Sequence, residues 1–117
     1  MSVSIYYSFK NKKNLEKQGY LKKVEDQWNK AFEGNPYEDW CWYKPEIEKS
    51  FFSKVFKYEG ALKMPLNDER ETFESIYKAV AFLSAIRNQV GGNDWSVQLD
   101  DRVIEWDTEL MEFNLDK

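Results

Sequence analysis

The spacing of the apolar residues changes along this chain between two periods, and that change restricts its fold more than any other feature. Val3, Ile5, Tyr7 and Phe9 alternate with less apolar residues, which predicts a strand with one buried face. Over residues 15–32 the apolar side chains instead recur at helical spacing, with charged residues on the far side. The chain is therefore predicted to begin with a strand followed by a helix.

Glycine, asparagine, aspartate and proline mark the limits of two predicted helices. Gly19 weakens the first turns of the first helix, so its stable part is expected to start near that residue. Gly34-Asn35-Pro36 predicts where this helix stops. Asp68 and Glu71 resemble a capping box at the start of the second helix, and Gly91-Gly92 predicts its end.

Short alternating runs predict the remaining strands. An aromatic strand is expected over 39–44 and a longer strand over 51–64. After the second helix, residues 95–99 alternate as a strand, a turn follows, and 103–106 return as the second arm of a hairpin. The last eleven residues are acidic and are expected to be irregular or only loosely packed.

The order of these elements predicts an α+β fold. It reads β-α-β-β-α-β, with an extra strand in a C-terminal hairpin. This is the split β-α-β, or ferredoxin-like, pattern, in which two helices cover one face of a mostly antiparallel sheet. The length of 117 residues is typical of one domain, so a single α+β domain is predicted over residues 1–117.

Cysteine usage and hydropathy predict a cytoplasmic protein. The one cysteine, Cys41, cannot form an intramolecular disulfide, and no signal-peptide pattern opens the chain. No apolar run approaches the roughly 20 residues that span a bilayer. Because Cys41 lies between two tryptophans in a predicted strand, we interpret it as a buried structural residue.

The absence of histidine removes several kinds of catalytic and metal site. Ser-His-Asp and Cys-His catalysis are excluded, and one cysteine cannot build a Cys/His zinc site. Residues 75–78 match the S-x-x-K spacing of serine–lysine acyl enzymes, but the accompanying S-D-N and K-T-G motifs are missing. Neither G-x-G-x-x-G nor a Walker A motif occurs. We therefore predict a protein that is not an enzyme and has no metal or cofactor.

Charge is distributed unevenly along the chain. The first 30 residues hold seven lysines and three acids, whereas residues 93–117 hold eight acids and two basic residues. With a net charge of −4, the chain is not expected to bind nucleic acid. The C-terminal acids either form a turn and a solvated surface or match a basic partner. Binding of calcium or magnesium is a further alternative, although the acids lack the EF-hand spacing. A pair of acids that acts as in glycoside hydrolysis is another, although the chain is small for a sugar cleft.

Aromatic residues supply candidate interface anchors. The chain has five Trp, seven Tyr and eight Phe, and most of these rings are expected in the core. A ring left exposed beside acids would anchor a protein interface. The residues predicted to bind a partner are Asp100, Asp101, Glu105, Trp106, Asp107, Glu109, Trp40 and Trp42.

Three stretches of the sequence carry a resemblance to known proteins. They are residues 3–7, residues 60–66, and Trp95-Ser96-Val97-Gln98-Leu99-Asp100-Asp101 followed by Ile104-Glu105-Trp106-Asp107. Together they resemble a family of small bacterial proteins with no assigned activity, so the resemblance implies no catalytic residues. In general character the chain also resembles the immunity proteins of bacterial toxin systems, which are small, cytoplasmic and often acidic, and which block a toxin domain.

Two hypotheses for function follow. The first is a protein-binding module, an immunity-like inhibitor whose acidic C-terminal hairpin meets a basic protein, with no nucleic acid or membrane partner. The alternative is a ferredoxin-like homodimer that associates through its sheet and binds a small apolar ligand in an aromatic pocket, with or without enzymatic activity. A monomer with a flat acidic face favours the first hypothesis, and a homodimer with a Trp-lined cavity favours the second. A structural subunit of a larger assembly would instead expose a large apolar patch.

Overall fold

The computed structural model describes residues 2–31, 40–65 and 69–115. Two sequence predictions, the helix stop at Gly34-Asn35-Pro36 and the helix cap at Asp68, lie outside the described residues. Within the described ranges the chain forms two helices and eight strands. They are β1 (Ser2–Asn11), α1 (Tyr20–Ala31), β2 (Cys41–Trp42), β3 (Glu46–Lys49), β4 (Lys54–Pro65), α2 (Glu69–Val90), β5 (Asn93–Leu99), β6 (Arg102–Val103), β7 (Glu105–Asp107) and β8 (Glu112–Asn114).

The strands form a large antiparallel sheet and a small one. In the large sheet β1 lies between β4 and β5, β6 flanks β5, and both β2 and β3 pair with the outer side of β4. The small sheet contains β7 and β8, which pair with each other. The predicted class, α+β with two helices and a mostly antiparallel sheet, is confirmed.

One face of the large sheet carries the core. The predicted alternation in β1 is confirmed, because Ile5, Tyr7 and Phe9 are buried while Tyr6 is exposed. Side chains from both helices join the core on this face. The two helices also touch each other, since the Trp28 ring lies 5.3 Å from the Phe82 ring.

Helix limits follow the glycines, as predicted. The helix α1 begins at Tyr20, directly after Gly19, which has a φ of +75°. The helix α2 ends at Val90, before Gly91 and Gly92, which both have positive φ. These three glycines adopt a left-handed backbone conformation that other residues rarely adopt.

A close approach between β1 and β4 also requires glycine. Gly60 is the partner of Tyr7 in the register, and a Cβ at Gly60 would collide with the Tyr7 ring and with the carbonyl oxygen of Cys41. The Tyr7 ring lies over Gly60, and its hydroxyl donates a 2.5 Å hydrogen bond to the carbonyl oxygen of Cys41. The ring therefore links β1 to the edge strand β2 through the space that Gly60 leaves.

The strand prediction over 51–64 is wrong at its start, and β3 was not predicted. The strand β4 begins at Lys54, because residues 50–53 form a turn closed by a 2.8 Å bond from Ser50 N to Ser53 O. The side chains of β3 are all exposed, and Ile47 is its single apolar residue, so its sequence is too polar to indicate a strand. The aromatic strand expected over 39–44 is reduced to Cys41–Trp42.

The C-terminal region also differs from the prediction. The expected hairpin arm at 103–106 is divided, because β6 ends at Val103 and the chain continues through buried Ile104 into the second sheet. The last eleven residues are not irregular over their described part, which contains β8 with a buried Phe113. The Phe113 amide donates a 2.9 Å hydrogen bond to the Ser84 hydroxyl of α2, which attaches this hairpin to the helix.

Neither helix of the described chain is both long enough and apolar enough to cross a membrane.

Candidate partner-binding surface

The hairpin formed by β7 and β8 has two chemically different faces. Trp106 is directly opposite Phe113, and their rings meet edge to face at 4.9 Å. Phe113 is buried in the core cluster that α2 joins. Because neighbouring residues of a strand point to opposite faces, Glu105 and Glu112 belong to the face turned away from these rings. Both are exposed.

Arg87 of α2 packs against the face of the hairpin that carries Trp106 and Phe113, which we call its aromatic face. Its guanidinium carbon lies 4.2 Å from the centre of the Trp106 ring, 5.6 Å from that of Phe113 and 5.9 Å from that of Trp95. A guanidinium stacked on aromatic rings is attracted by their negative faces. Burial lowers the pKa of Arg87 from its usual value, although an arginine in a protein stays charged. Three aromatic side chains from β5, β7 and β8 thus converge on one cation.

Asp107 shapes the turn between β7 and β8. One carboxylate oxygen accepts hydrogen bonds from the backbone amides of Glu109 (2.9 Å) and Leu110 (3.0 Å). The other accepts a 3.3 Å bond from the side-chain amide of Asn114. The carboxylate of Asp107 therefore has a structural role, because its oxygens already accept hydrogen bonds from the turn. A bond to a partner would compete with these hydrogen bonds.

Two apolar side chains project from the same turn. Leu110 is 61% exposed and Met111 is 53% exposed. Met111 has a φ of +54°, and its carbonyl accepts a 2.8 Å hydrogen bond from the side-chain amide of Asn88 on α2. Sequence reasoning missed these two residues because the segment was expected to be irregular. A Leu-Met pair within an acidic run was the available signal.

Asp100 and Asp101 lie on a different turn, between β5 and β6. The amide of Asp100 donates to the carbonyl of Ser4 at 2.8 Å, and the amide of Ser4 donates to the Asp100 carboxylate at 3.1 Å. Asp100 has a φ of +52°, as a tight turn requires. Asp100 therefore continues the pairing of β5 with β1, and both Asp100 and Asp101 are exposed.

The predicted aromatic anchors occupy other environments. Trp40 is only 3% exposed, and its ring stacks on that of Tyr7 with 4.7 Å between the ring centres, so it lies in the core, and its role in partner binding stays a prediction. Trp42 is half-buried, 5.3 Å from the Tyr7 ring. Trp106 is also half-buried and is covered by Arg87. These three tryptophans therefore pack against other side chains, whereas the predicted acids on the surface face solvent.

The exposed acids of the hairpin have no cationic neighbour among the described residues. No basic side chain there comes within 4 Å of the carboxylates of Glu105, Glu109 or Glu112. Arg102, the nearest basic residue in sequence, directs its guanidinium to the carbonyl of Leu115 at 2.8 Å. We define the acidic hairpin surface as Glu105, Glu109, Leu110, Met111 and Glu112. All five side chains are exposed.

The described residues contain no group of three or more acidic, cysteine or histidine side chains that could hold a metal ion.

A groove lies on the face of the large sheet opposite the helices. It has a volume of about 330 Å³, and its lining includes Tyr6, Tyr43, Ser8, Glu59 and Gln98. The described lining is thus tyrosine and polar side chains, with no tryptophan among it. This groove differs from the Trp-lined apolar pocket of the second hypothesis.

Cys41 is exposed, so the prediction that it is buried is wrong. It pairs with Ala61 while its neighbour Trp42 pairs with Gly60, and residues paired in this way share a face of the sheet. Trp42 packs against the core and Cys41 takes the open face. The packing of Trp42 therefore determines which face of the sheet each side chain of this short strand occupies.

Comparisons with protein-family models, with curated proteins and with solved structures found no match to this chain. The resemblance to a bacterial family stays a prediction.

Proposed function

We propose that this protein is a binding module that inhibits a basic partner protein, in the manner of an immunity protein, through its acidic hairpin surface. The observation that carries the proposal is the division of the β7–β8 hairpin into two faces. Its aromatic face is held by Arg87, and its other face presents Glu105 and Glu112 to solvent. The hairpin is attached firmly enough to act as a preformed surface.

The exposed carboxylates provide the long-range part of recognition. Charges of one sign on a surface raise the association rate of an oppositely charged protein and disfavour partners of like charge. Glu105, Glu109 and Glu112 have no ion-pair partner among the described side chains, so their attraction for an external cation is not offset locally.

Leu110 and Met111 provide the short-range part. Both are more than half exposed at the tip of the hairpin, between two of the acids. Apolar side chains at the centre of a charged surface lose water on binding, while the charged rim fixes the orientation. Met adapts its shape to irregular partner surfaces. Asp101, exposed on the β5–β6 turn, is a further candidate contact.

Capture of proteins from the source-cell lysate tests this proposal. The wild-type chain is compared with a variant carrying Glu105→Lys, Glu109→Lys and Glu112→Lys. The matched control reverses three exposed acids elsewhere, Glu16→Lys, Asp26→Lys and Glu74→Lys.

We expect the wild type and the control to retain one basic protein, identified by mass spectrometry and released at high salt. The hairpin variant is expected to lose it. Retention of the same protein by all three chains would contradict the proposal.

We further infer that the large sheet has the ferredoxin-like topology. If β2 and β3 are taken as one edge strand interrupted near Pro45, the order across the sheet becomes edge strand, β4, β1, β5, with every neighbour antiparallel. Two helices connect these strands in the order that the split β-α-β pattern requires. This arrangement supports the alternative function, because one sheet face stays open for association.

The groove on that open face favours a second candidate function, a homodimer that encloses a small ligand. Tyr6 and Tyr43 offer rings for stacking, and Ser8, Glu59 and Gln98 offer hydrogen bonds. The ligand would be planar and partly polar rather than purely apolar. Light scattering in solution tests the dimer. A dimer that Tyr6→Ser dissociates supports this function, and a monomer for the wild type removes it.

We also propose that the protein works in the cytoplasm. Cys41 is a free and exposed thiol. Exposed thiols persist in reducing compartments and become oxidised elsewhere.

A further inference from the structure

The turn between β3 and β4 presents two phenylalanines to solvent. Phe51 and Phe52 are each 95% exposed, and their rings touch edge to face at 5.2 Å. A soluble domain rarely leaves two adjacent large rings uncovered unless they contact something else. We call residues 49–54, Lys49-Ser50-Phe51-Phe52-Ser53-Lys54, the diphenylalanine tip.

The tip is built by its serines. Ser50 N donates to Ser53 O at 2.8 Å, and the two serine hydroxyls lie 2.6 Å apart. These bonds close the turn without using the phenylalanine side chains. Because β3 and β4 pair up to Lys49 and Lys54, the rings lie beyond the last pair of the ladder, at the end of a hairpin.

The charges beside the rings are all positive. The six residues of the tip include no acid, and Lys49 is directly opposite Lys54 in the register. Like charges directly opposite each other destabilise a sheet. The described residues offer no carboxylate within 4 Å of either lysine. An external anion would relieve this repulsion.

Two of the acids near the tip along the sheet already have cationic partners. Glu48 forms a 3.2 Å ion pair with Lys10, and Glu59 forms a 3.0 Å ion pair with Lys57. The hydrogen bond and charge of Glu59 raise the pKa of Lys57, and Glu46 and Glu48 raise it further. Glu48 and Glu59 are therefore directed to Lys10 and Lys57 rather than to the two lysines of the tip. Acids elsewhere on the chain are screened over about 8–10 Å at physiological salt.

We infer that the diphenylalanine tip contacts the surface of a lipid bilayer with anionic headgroups. Phe51 and Phe52 enter the boundary between headgroups and acyl chains, where aromatic rings are favoured. Lys49 and Lys54 remain at the level of the headgroups, where each basic side chain is attracted to anionic lipid. This inference uses a different surface from the acidic hairpin and is independent of the proposed function.

The inference departs from the sequence expectation that the protein has no membrane partner. That expectation rested on the lack of a spanning segment, and a surface contact needs none. Sequence reasoning missed the tip because both phenylalanines were placed in the strand predicted over 51–64. The sequence signal was the symmetric order K-S-F-F-S-K, with both rings between lysines.

Sedimentation with lipid vesicles tests the inference. The full chain is mixed with vesicles of phosphatidylcholine alone and with vesicles of phosphatidylcholine and phosphatidylserine at about 7:3, a composition that gives a negative surface. We expect binding to the mixed vesicles that exceeds binding to the neutral ones by about tenfold or more, and that decreases with salt.

Two variants assign the binding to the tip. Phe51→Ser with Phe52→Ser is expected to weaken partitioning into the mixed vesicles by about 100-fold, roughly tenfold for each ring. Lys49→Ser with Lys54→Ser is expected to remove the preference for anionic lipid. The control is Leu110→Ser with Met111→Ser, which removes the other exposed apolar pair and is expected to bind vesicles as the wild type does.

Failure of the wild type to bind the mixed vesicles would overturn the inference, as would equal binding by the phenylalanine variant. If the phenylalanine substitutions instead convert an oligomer to a monomer, with no change on vesicles, the tip is a contact between copies of the chain and the inference is wrong. Thermal melting of each variant verifies that it is folded.

Discussion

The guanidinium carbon of Arg87 lies 4.2 Å from the centre of the Trp106 ring. This contact joins the last turn of α2 to the β7–β8 hairpin, and it decides which face of the hairpin is exposed. With Trp106 and Phe113 turned towards Arg87, the acids at alternate positions turn towards solvent. The acidic hairpin surface therefore depends on a basic residue.

Arg87→Met is expected to destabilise the protein by about 1–2 kcal/mol, because the cation–π contacts with three rings are lost while the aliphatic volume is kept. Chemical denaturation measures the change in the free energy of unfolding. The control is Arg70→Met, on the exposed first turns of α2, for which we expect a change below about 0.5 kcal/mol. Equal changes at both positions would show that the rings around Arg87 contribute nothing specific.

Asp107→Ala is expected to loosen the turn between β7 and β8. The amides of Glu109 and Leu110 lose their common acceptor, at a cost of about 1 kcal/mol. Hydrogen exchange of these two amides should become faster. Glu109→Ala removes a carboxylate of the same hairpin whose side chain is exposed and serves as the control. Unchanged exchange in the Asp107 variant would argue against its role in the turn.

Stability is expected to fall in alkaline solution. Burial raises the pKa of Tyr7 well above its usual value, and burial also raises the pKa of Tyr20 and Tyr58. In the unfolded chain these phenols ionise near pH 10, so above that pH the unfolded state binds fewer protons and is favoured.

Tyr7 contributes a loss of up to about 1.4 kcal/mol per pH unit between pH 10 and its own raised pKa, and Tyr20 and Tyr58 act in the same direction. Tyr7→Phe is expected to lower stability at neutral pH by about 1 kcal/mol, through the lost bond to Cys41 O, and to make the alkaline decrease less steep. Tyr6→Phe, at an exposed position, is the control. Denaturation at pH values from 8 to 11 measures both effects, and equal slopes for the wild type and Tyr7→Phe would contradict this account.

Gly60→Ala is expected to destabilise the protein by about 1–3 kcal/mol, because the added Cβ meets the Tyr7 ring and the Cys41 carbonyl. The double variant with Tyr7→Ala should recover part of the loss, since one of the two obstacles is then removed. Purely additive free energies of unfolding would show that Gly60 and Tyr7 do not interact.

Elements with clear periodicity were predictable from the sequence, and elements that depend on distant contacts were not. The buried alternation of Ile5, Tyr7 and Phe9 defines β1 on its own. By contrast, β3 has four exposed side chains and is held by its pairing with β4. Phe52 falls in the strand predicted over 51–64 and is nevertheless exposed, because it lies within the turn that Ser50 and Ser53 close.

The candidate surface was predictable in composition and not in geometry. Glu105 and Glu109 were identified as candidates from charge alone. Their separation from Trp106 arises from Arg87, a residue of another element, and no local pattern encodes that contact. The attachment of Phe113 to Ser84 is likewise a contact between distant parts of the chain.

The most direct test of the central claim is the kinetics of binding to the captured partner at several salt concentrations. We predict a one-to-one complex whose association rate falls by about tenfold or more from low to high salt. The three substitutions to Lys at Glu105, Glu109 and Glu112 should slow association further, and Leu110→Ser with Met111→Ser should mainly speed dissociation. Rates that are independent of salt, and equal for the wild type and both variants, would contradict the claim that the acidic hairpin binds a basic protein.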